Sequence, residues 1–105
     1  MKQKLGNLPI EEISEFCHRW HIIRMELFGS VLREDFTTQS DIDILVEYNP
    51  EYHRTLADQI QMHEEIENLF GRPVDLINRR SIERSRNYIR REGILGTAKE
   101  IYAKR

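Results

Sequence analysis

Asp41 and Asp43 stand two residues apart in the run DIDILVEY, and that spacing sets what they can do. Side chains alternate along a strand, so both carboxylates project from one face, within reach of a shared cation. Without a cation they repel and raise one another's proton affinity, so a pair kept ionised at neutral pH needs metal, arginine or ample water. For an isolated Asp-x-Asp the competing account is a solvated strand face. Two further features favour metal. Gly29-Ser30 ends the preceding apolar run and opens a short helical turn over Val31 to Glu34, a corner that offers backbone N–H groups and a hydroxyl to a phosphate. Taken singly, that dipeptide is an ordinary turn with a helix cap. Asp75 in PVDLI is a lone carboxylate in an apolar strand, where a charge requires a partner. The partner is either one of the many arginines or, if this strand lies beside that of Asp41 and Asp43, a metal shared by all three acids. Such a cluster suits Mg²⁺, a hard cation that binds through a few carboxylates together with substrate phosphates.

The elements that must position these groups follow from periodicity. Ile10, Ile13, Phe16, Cys17 and Trp20 recur at helical steps, which predicts a helix from Pro9 to Trp20 with Asn7 as cap and Pro9 in its first turn. Ile22 to Phe28 reads as a strand, and Asp41 to Tyr48 as a second, closed by Asn49-Pro50. A helix from His53 to Phe70 follows, with Leu56, Ile60, Ile66, Leu69 and Phe70 as its apolar stripe and Gly71 as its stop. Pro73 to Asn78 is the third strand. The remainder reads as two helices, one capped by Ser81 and carrying Ile82, Tyr88 and Ile89, the other following Gly93 and carrying Ile94, Ala98, Ile101 and Tyr102. Tyr88 and Tyr102 read as core residues. Strands alternating with helices predict one α/β (α+β) domain over residues 1–105: a small mixed, twisted sheet flanked by helices.

Composition bounds the function. A chain of 105 residues has room for one core, and 39% apolar with 32% charged residues places it among globular domains. The net charge of −2 gives no general reason to bind nucleic acid or membranes, although Arg79, Arg80, Arg84, Arg86, Arg90 and Arg91 form a local cluster. That cluster reads as a solvated helix face and as the first choice for a partner surface. No apolar run approaches the ~20 residues of a membrane span, and Met1 to Pro9 does not resemble a signal peptide, so a cytoplasmic location is expected. Cys17, the single cysteine, falls among apolar helix positions and reads as a buried structural thiol. His18, His21, His53 and His63 lack compact metal-ligand spacing.

The stretch GSVLREDFTTQSDIDILV resembles the signature of the DNA polymerase β-like nucleotidyltransferase superfamily, and specifically its minimal members. Gly29, Ser30, Asp41 and Asp43 match its spacing, Ser40 stands just before the first aspartate as in many members, and PVDLI looks like the strand bearing the third acid. Many relatives carry Arg-Gly shortly after Gly-Ser, whereas here Arg33 is followed by Glu34. The resemblance implies the polymerase β-like fold. It also implies catalytic, metal-binding roles for Asp41, Asp43 and Asp75 with two Mg²⁺ ions, and a nucleotide held by Gly29, Ser30, Arg33 and Ser40. Minimal members of this kind resemble antitoxins encoded with HEPN-domain toxins, and the implied reaction is transfer of AMP from ATP to a tyrosine of such a toxin. Two alternatives are a binding module that neutralises its partner by covering it, and a nucleotidyltransferase for small molecules such as aminoglycosides. The last needs an acceptor pocket that the C-terminal helices are too short to build.

Overall fold

The computed structural model describes residues 8–29 and 41–104. Along them run α1 (Ile10–Arg19), β1 (Ile22–Phe28), β2 (Ile42–Tyr48), α2 (Leu56–Phe70), β3 (Val74–Asn78), α3 (Arg79–Glu83), α4 (Tyr88–Thr97) and β4 (Lys99–Ala103). Helix α1 forms because Ile13, Phe16 and Cys17 share one buried stripe, while Glu11 and Glu12 meet the positive end of its dipole. Pro9 is its cap rather than part of its first turn, and the expected cap Asn7 lies outside the described residues. Burial pushes the Cys17 thiol up to about 12, so it stays a protonated core group, as its sequence context implied.

Helix α2 starts three residues later than periodicity suggested, because Thr55 and Asp58 build a capping box. The Thr55 hydroxyl accepts from the Asp58 N–H, and the Thr55 N–H donates to the Asp58 carboxylate, both at 3.0 Å. Gly71, at φ 72°, ends the helix in the left-handed conformation. The buried stripe is Met62 and Ile66, with Leu69 and Phe70 packed at its edge. Leu56 and Ile60 do not belong to it, being 78% and 56% exposed. Ile60 lies about 200° around the helix from Met62 at ~100° per residue, which turns it to the opposite side.

The sheet has the order β3-β2-β1-β4, with β1 antiparallel to both neighbours and β2 parallel to β3. A parallel pair needs a crossover, and α2 supplies it. One face carries Met25, Leu27, Ile42, Ile44, Val46 and Val74 against α1 and α2, forming the main core. The other carries Phe28 and Leu45, which meet Ile82, Ile94 and Leu95 of α3 and α4 in a smaller cluster. Among the described residues, α3 and α4 cover only part of that second face.

The C-terminal third departs from expectation. Asn78, not Ser81, caps α3, its carboxamide oxygen accepting from the Arg80 N–H, and the helix ends at Glu83. Asn87 caps α4, which runs through Gly93 instead of stopping there. The segment from Lys99 is a strand and not a helix. Ile101 and Tyr102 favour extended structure, and pairing with β1 satisfies backbone groups that an open sheet edge would leave bare. Tyr102 packs on the main core as expected, whereas Tyr88 and Ile89 are 63% and 72% exposed.

Glu65 ties α2 to the end of α1, accepting from Trp20 Nε1 at 2.9 Å and from Arg19 at 2.8 Å. Partial burial raises its proton affinity, but the bonds from Trp20, Arg19 and Gln61 outweigh that and hold its pKa below the ordinary 4.5. A folded-state pKa below the unfolded one stabilises above the unfolded value, and the gain is lost as pH falls through the folded one. Glu65→Gln should therefore cost about 1 kcal/mol at pH 7. The difference from wild type should shrink as pH falls below 4.5 and be lost once pH passes the lowered folded-state pKa, as read by urea titrations at pH 7 and through the acid range. No helix among the described residues is long and apolar enough to cross a membrane.

Candidate active site

Strand register brings the sequence-predicted acids into line. The antiparallel pairing sets Phe28 opposite Asp43, and the parallel pairing sets Asp43 opposite Asp75. Residues directly opposite across a ladder project from the same face, so Phe28, Asp43 and Asp75 form a row across three strands. Asp41, two residues before Asp43, continues the same alternation at the mouth of β2. Asp41 and Asp75 are exposed and Asp43 is half-buried. Among the described residues no arginine pairs with Asp75, because its carboxylate reaches solvent and needs no internal partner. Its apolar neighbours Val74 and Leu76 turn instead to the α1–α2 core.

Gly29 closes the row. It sits at φ 77°, a conformation disfavoured for other residues, and a Cβ placed on it would lie 2.4 Å from Asp43 Oδ2. The corner after β1 thus touches the central carboxylate, and only glycine permits the contact. Gly29→Ala should destabilise the domain by about 2 kcal/mol from the left-handed backbone and the displaced carboxylate. Equilibrium denaturation reads this loss. Ser30, Arg33 and Ser40, with Glu34 and the expected short helical turn, lie outside the described residues.

Among the described residues, no three His, Cys, Asp or Glu side chains converge into a ready-made metal cage. The acids are arranged along the sheet face and do not enclose a point. This open arrangement still fits Mg²⁺ in donor chemistry, since that ion takes oxygen ligands, keeps several waters and is bound through one or two carboxylates plus substrate phosphates. Asp41, Asp43 and Asp75 would supply the carboxylates.

Sequence reasoning missed a buried ion pair on the same face. Glu26, 7% exposed and in register with Leu45, accepts from the Arg79 guanidinium, which also bonds Glu83 at 2.9 Å. Burial alone would lower the Arg79 pKa, but the Glu26 charge and hydrogen bond, with those of Glu83, outweigh it and raise it. Arg79 follows β3 directly, so the pair fastens the start of α3 to β1 beneath the acid row. The available signal was an acid inside the apolar strand IIRMELF, the same cue that singled out Asp75. Arg79 is consequently no part of a solvated arginine face, whereas Arg80, Arg84, Arg86 and Arg90 are exposed.

A mixed sheet presenting paired aspartates, a third acid on the adjacent strand and a glycine corner against them defines a nucleotidyltransferase domain. The chain belongs to that family: residues 10–95 match the family described as "Nucleotidyltransferase domain". It is 34% identical to a protein adenylyltransferase candidate of Methanocaldococcus jannaschii over 64 residues, covering 61% of this chain and 64% of that protein. The chain therefore spans a little under two thirds of the length of that curated relative. It also resembles the solved structure of a candidate minimal nucleotidyltransferase, with 31% identity, 85% of each chain covered and a TM-score of 0.64. A chain of the complex between a tri-AMPylated Shewanella oneidensis HEPN toxin and an MNT antitoxin shares the fold. That match has 18% identity, a TM-score of 0.57, and covers 90% of this chain and 70% of that one.

Proposed function

We propose that this domain transfers AMP from ATP to a protein hydroxyl, and that its acceptor is a tyrosine of a HEPN-domain toxin that it neutralises as an antitoxin. The observation that carries this reading is the row of Asp43 and Asp75 with Asp41 beside it and Gly29 against Asp43. Membership of the nucleotidyltransferase family supports the reaction class, and the adenylyltransferase relative and the HEPN complex support the acceptor.

Asp41 and Asp43 lie on the strand nearest Gly29, so they would hold the triphosphate end of the reaction. Divalent ions, when bound there, would offset charge on the entering and departing oxygens. Asp75, one strand further from Gly29 and open to solvent, faces the acceptor side. Its carboxylate takes the proton of the acceptor hydroxyl as that oxygen bonds to the α phosphorus. The bond from the α phosphorus to the bridging oxygen breaks, and pyrophosphate carries away the electron pair. The backbone at Gly29, with Ser30, Arg33 and Ser40, steadies the β and γ phosphates. Incubating the chain with a HEPN partner, ATP and Mg²⁺ and weighing the partner by mass spectrometry tests the reading. Added AMP on a tyrosine is expected, and an unmodified partner would refute it.

The exposed Tyr88 and Ile89, flanked by exposed Arg84, Arg86 and Arg90, favour a second reading in which the domain neutralises its partner by covering it. An Asp41→Asn, Asp43→Asn variant separates the two. If suppression of the partner survives at equal abundance, contact and not transfer is responsible.

A further inference from the structure

We propose that His63 and Glu67 of α2 are positioning residues for Asp75: together they lock the backbone of Val74, the residue before it, and so fix where the third carboxylate of the acid row stands. This rests on the nucleotidyl-transfer reading above, in which Asp75 takes the proton of the acceptor hydroxyl.

Asp75 depends on its backbone for its place. It lies on β3, a five-residue strand at the edge of the sheet, and among the described residues no ion pair holds its carboxylate. Pro73, at the head of that strand, has no N–H to give to the ladder, and its carbonyl accepts from the Ile42 N–H at 3.0 Å. Backbone groups alternate in direction along a strand, so the N–H and C=O of Val74 point away from β2 to the free edge.

Helix α2 answers both groups. The Val74 N–H donates to the Glu67 carboxylate at 3.0 Å, and the Val74 carbonyl accepts from His63 Nε2 at 2.7 Å. A carbonyl oxygen only accepts, so the His63 ring carries a proton on Nε2. His63 and Glu67 stand one helical turn apart with their side chains 3.4 Å from each other, each one residue on from the buried Met62 and Ile66, so they flank the core at the sheet edge. Val74 is thereby bonded on its open side as a neighbouring strand would bond it. A guard for the whole edge would extend to Leu76, the next residue facing outwards, yet no side chain among the described residues reaches its backbone there. The closure is confined to the residue that adjoins Asp75. A reacting group displaced by about 1 Å loses rate steeply, so a fixed Val74 bears on transfer through Asp75.

Single-turnover AMP transfer from ATP to the HEPN partner, measured on the intact chain beside calorimetric binding of ATP with Mg²⁺, tests the assignment. Both side chains are partly exposed and alanine favours helix, so His63→Ala and Glu67→Ala should fold, as circular dichroism checks. Each should slow transfer by about tenfold and leave ATP binding unchanged. His63→Gln and Glu67→Gln, whose carboxamides keep the donor and the acceptor, should stay near the wild-type rate. In an Asp75→Asn chain neither alanine change should slow transfer further, because both act through Asp75. Alanine variants that transfer at the wild-type rate, that lose ATP binding in step with transfer, or that slow the Asp75→Asn chain by the same factor overturn the assignment while the reaction reading stands. A wild-type chain that transfers no AMP overturns both.

Discussion

Asp43→Asn is expected to lower AMP transfer by about 10²–10³-fold, the scale of losing one fixed electrostatic anchor for charge that develops during reaction. Asp43 is the centre of the row, opposite Phe28 on one side and Asp75 on the other, with Gly29 against its carboxylate. Asparagine keeps its shape and a carbonyl oxygen but removes the charge that draws a divalent ion towards the phosphate. The fold should persist, because asparagine also relieves repulsion from Asp41 and Asp75. Pyrophosphate release measured beside circular dichroism gives both readouts. A folded variant working at the wild-type rate would remove Asp43 from the chemistry.

The largest expected loss of stability comes from Glu26→Ala, at about 3 kcal/mol, because it leaves the Arg79 charge largely buried with only Glu83 to answer it. At ~4–8 °C per kcal/mol for a domain of this size, the unfolding midpoint should fall by roughly 12–24 °C. Removing both charges is a different matter. A Glu26→Leu, Arg79→Leu variant replaces a desolvated pair with apolar volume next to Leu45 and Ile82, and should be far closer to wild type than either single change. Thermal melts of Glu26→Ala, Arg79→Leu and the double variant distinguish a buried, mutually dependent pair from two independent surface charges, for which all three would stay within about 1 kcal/mol.

The parts of the fold legible in the sequence are those whose local pattern and tertiary role agree. Ile22–Phe28 and Ile42–Tyr48 are bounded by glycine, asparagine and proline and are strands at the expected positions, and Gly71 stops α2 where a left-handed residue was needed. The Asp41–Asp43 spacing was readable because strand alternation is a property of the backbone. The alignment of Asp75 was not, since register between strands is set by the α2 crossover and the core beneath it. The last strand is hidden in the sequence for a related reason. Ile94, Ala98, Ile101 and Tyr102 have helical spacing, but the free edge of β1 offers Lys99–Ala103 a full set of backbone partners, and tertiary pairing wins over local period. Leu56 and Ile60 are apolar in type but stand at the wrong angular phase for the buried stripe, which Met62 occupies. Glu26 is not legible as half of an ion pair in sequence because its partner lies 53 residues away within a cluster of arginines.

The central claim is that a metal–nucleotide complex sits on the acid-bearing face of the sheet at the end next to Gly29. Titrating ¹⁵N-labelled protein with Mn²⁺ and a non-hydrolysable ATP analogue locates the ion directly through paramagnetic broadening of nearby amides. Amides of Gly29, Ile42, Asp43 and Asp75 should broaden first, while those of Ile13, Cys17 and Ile66 on the α1–α2 side stay sharp. Broadening centred on the His63–Glu67 surface of α2, or none at all with the analogue bound, would contradict the account.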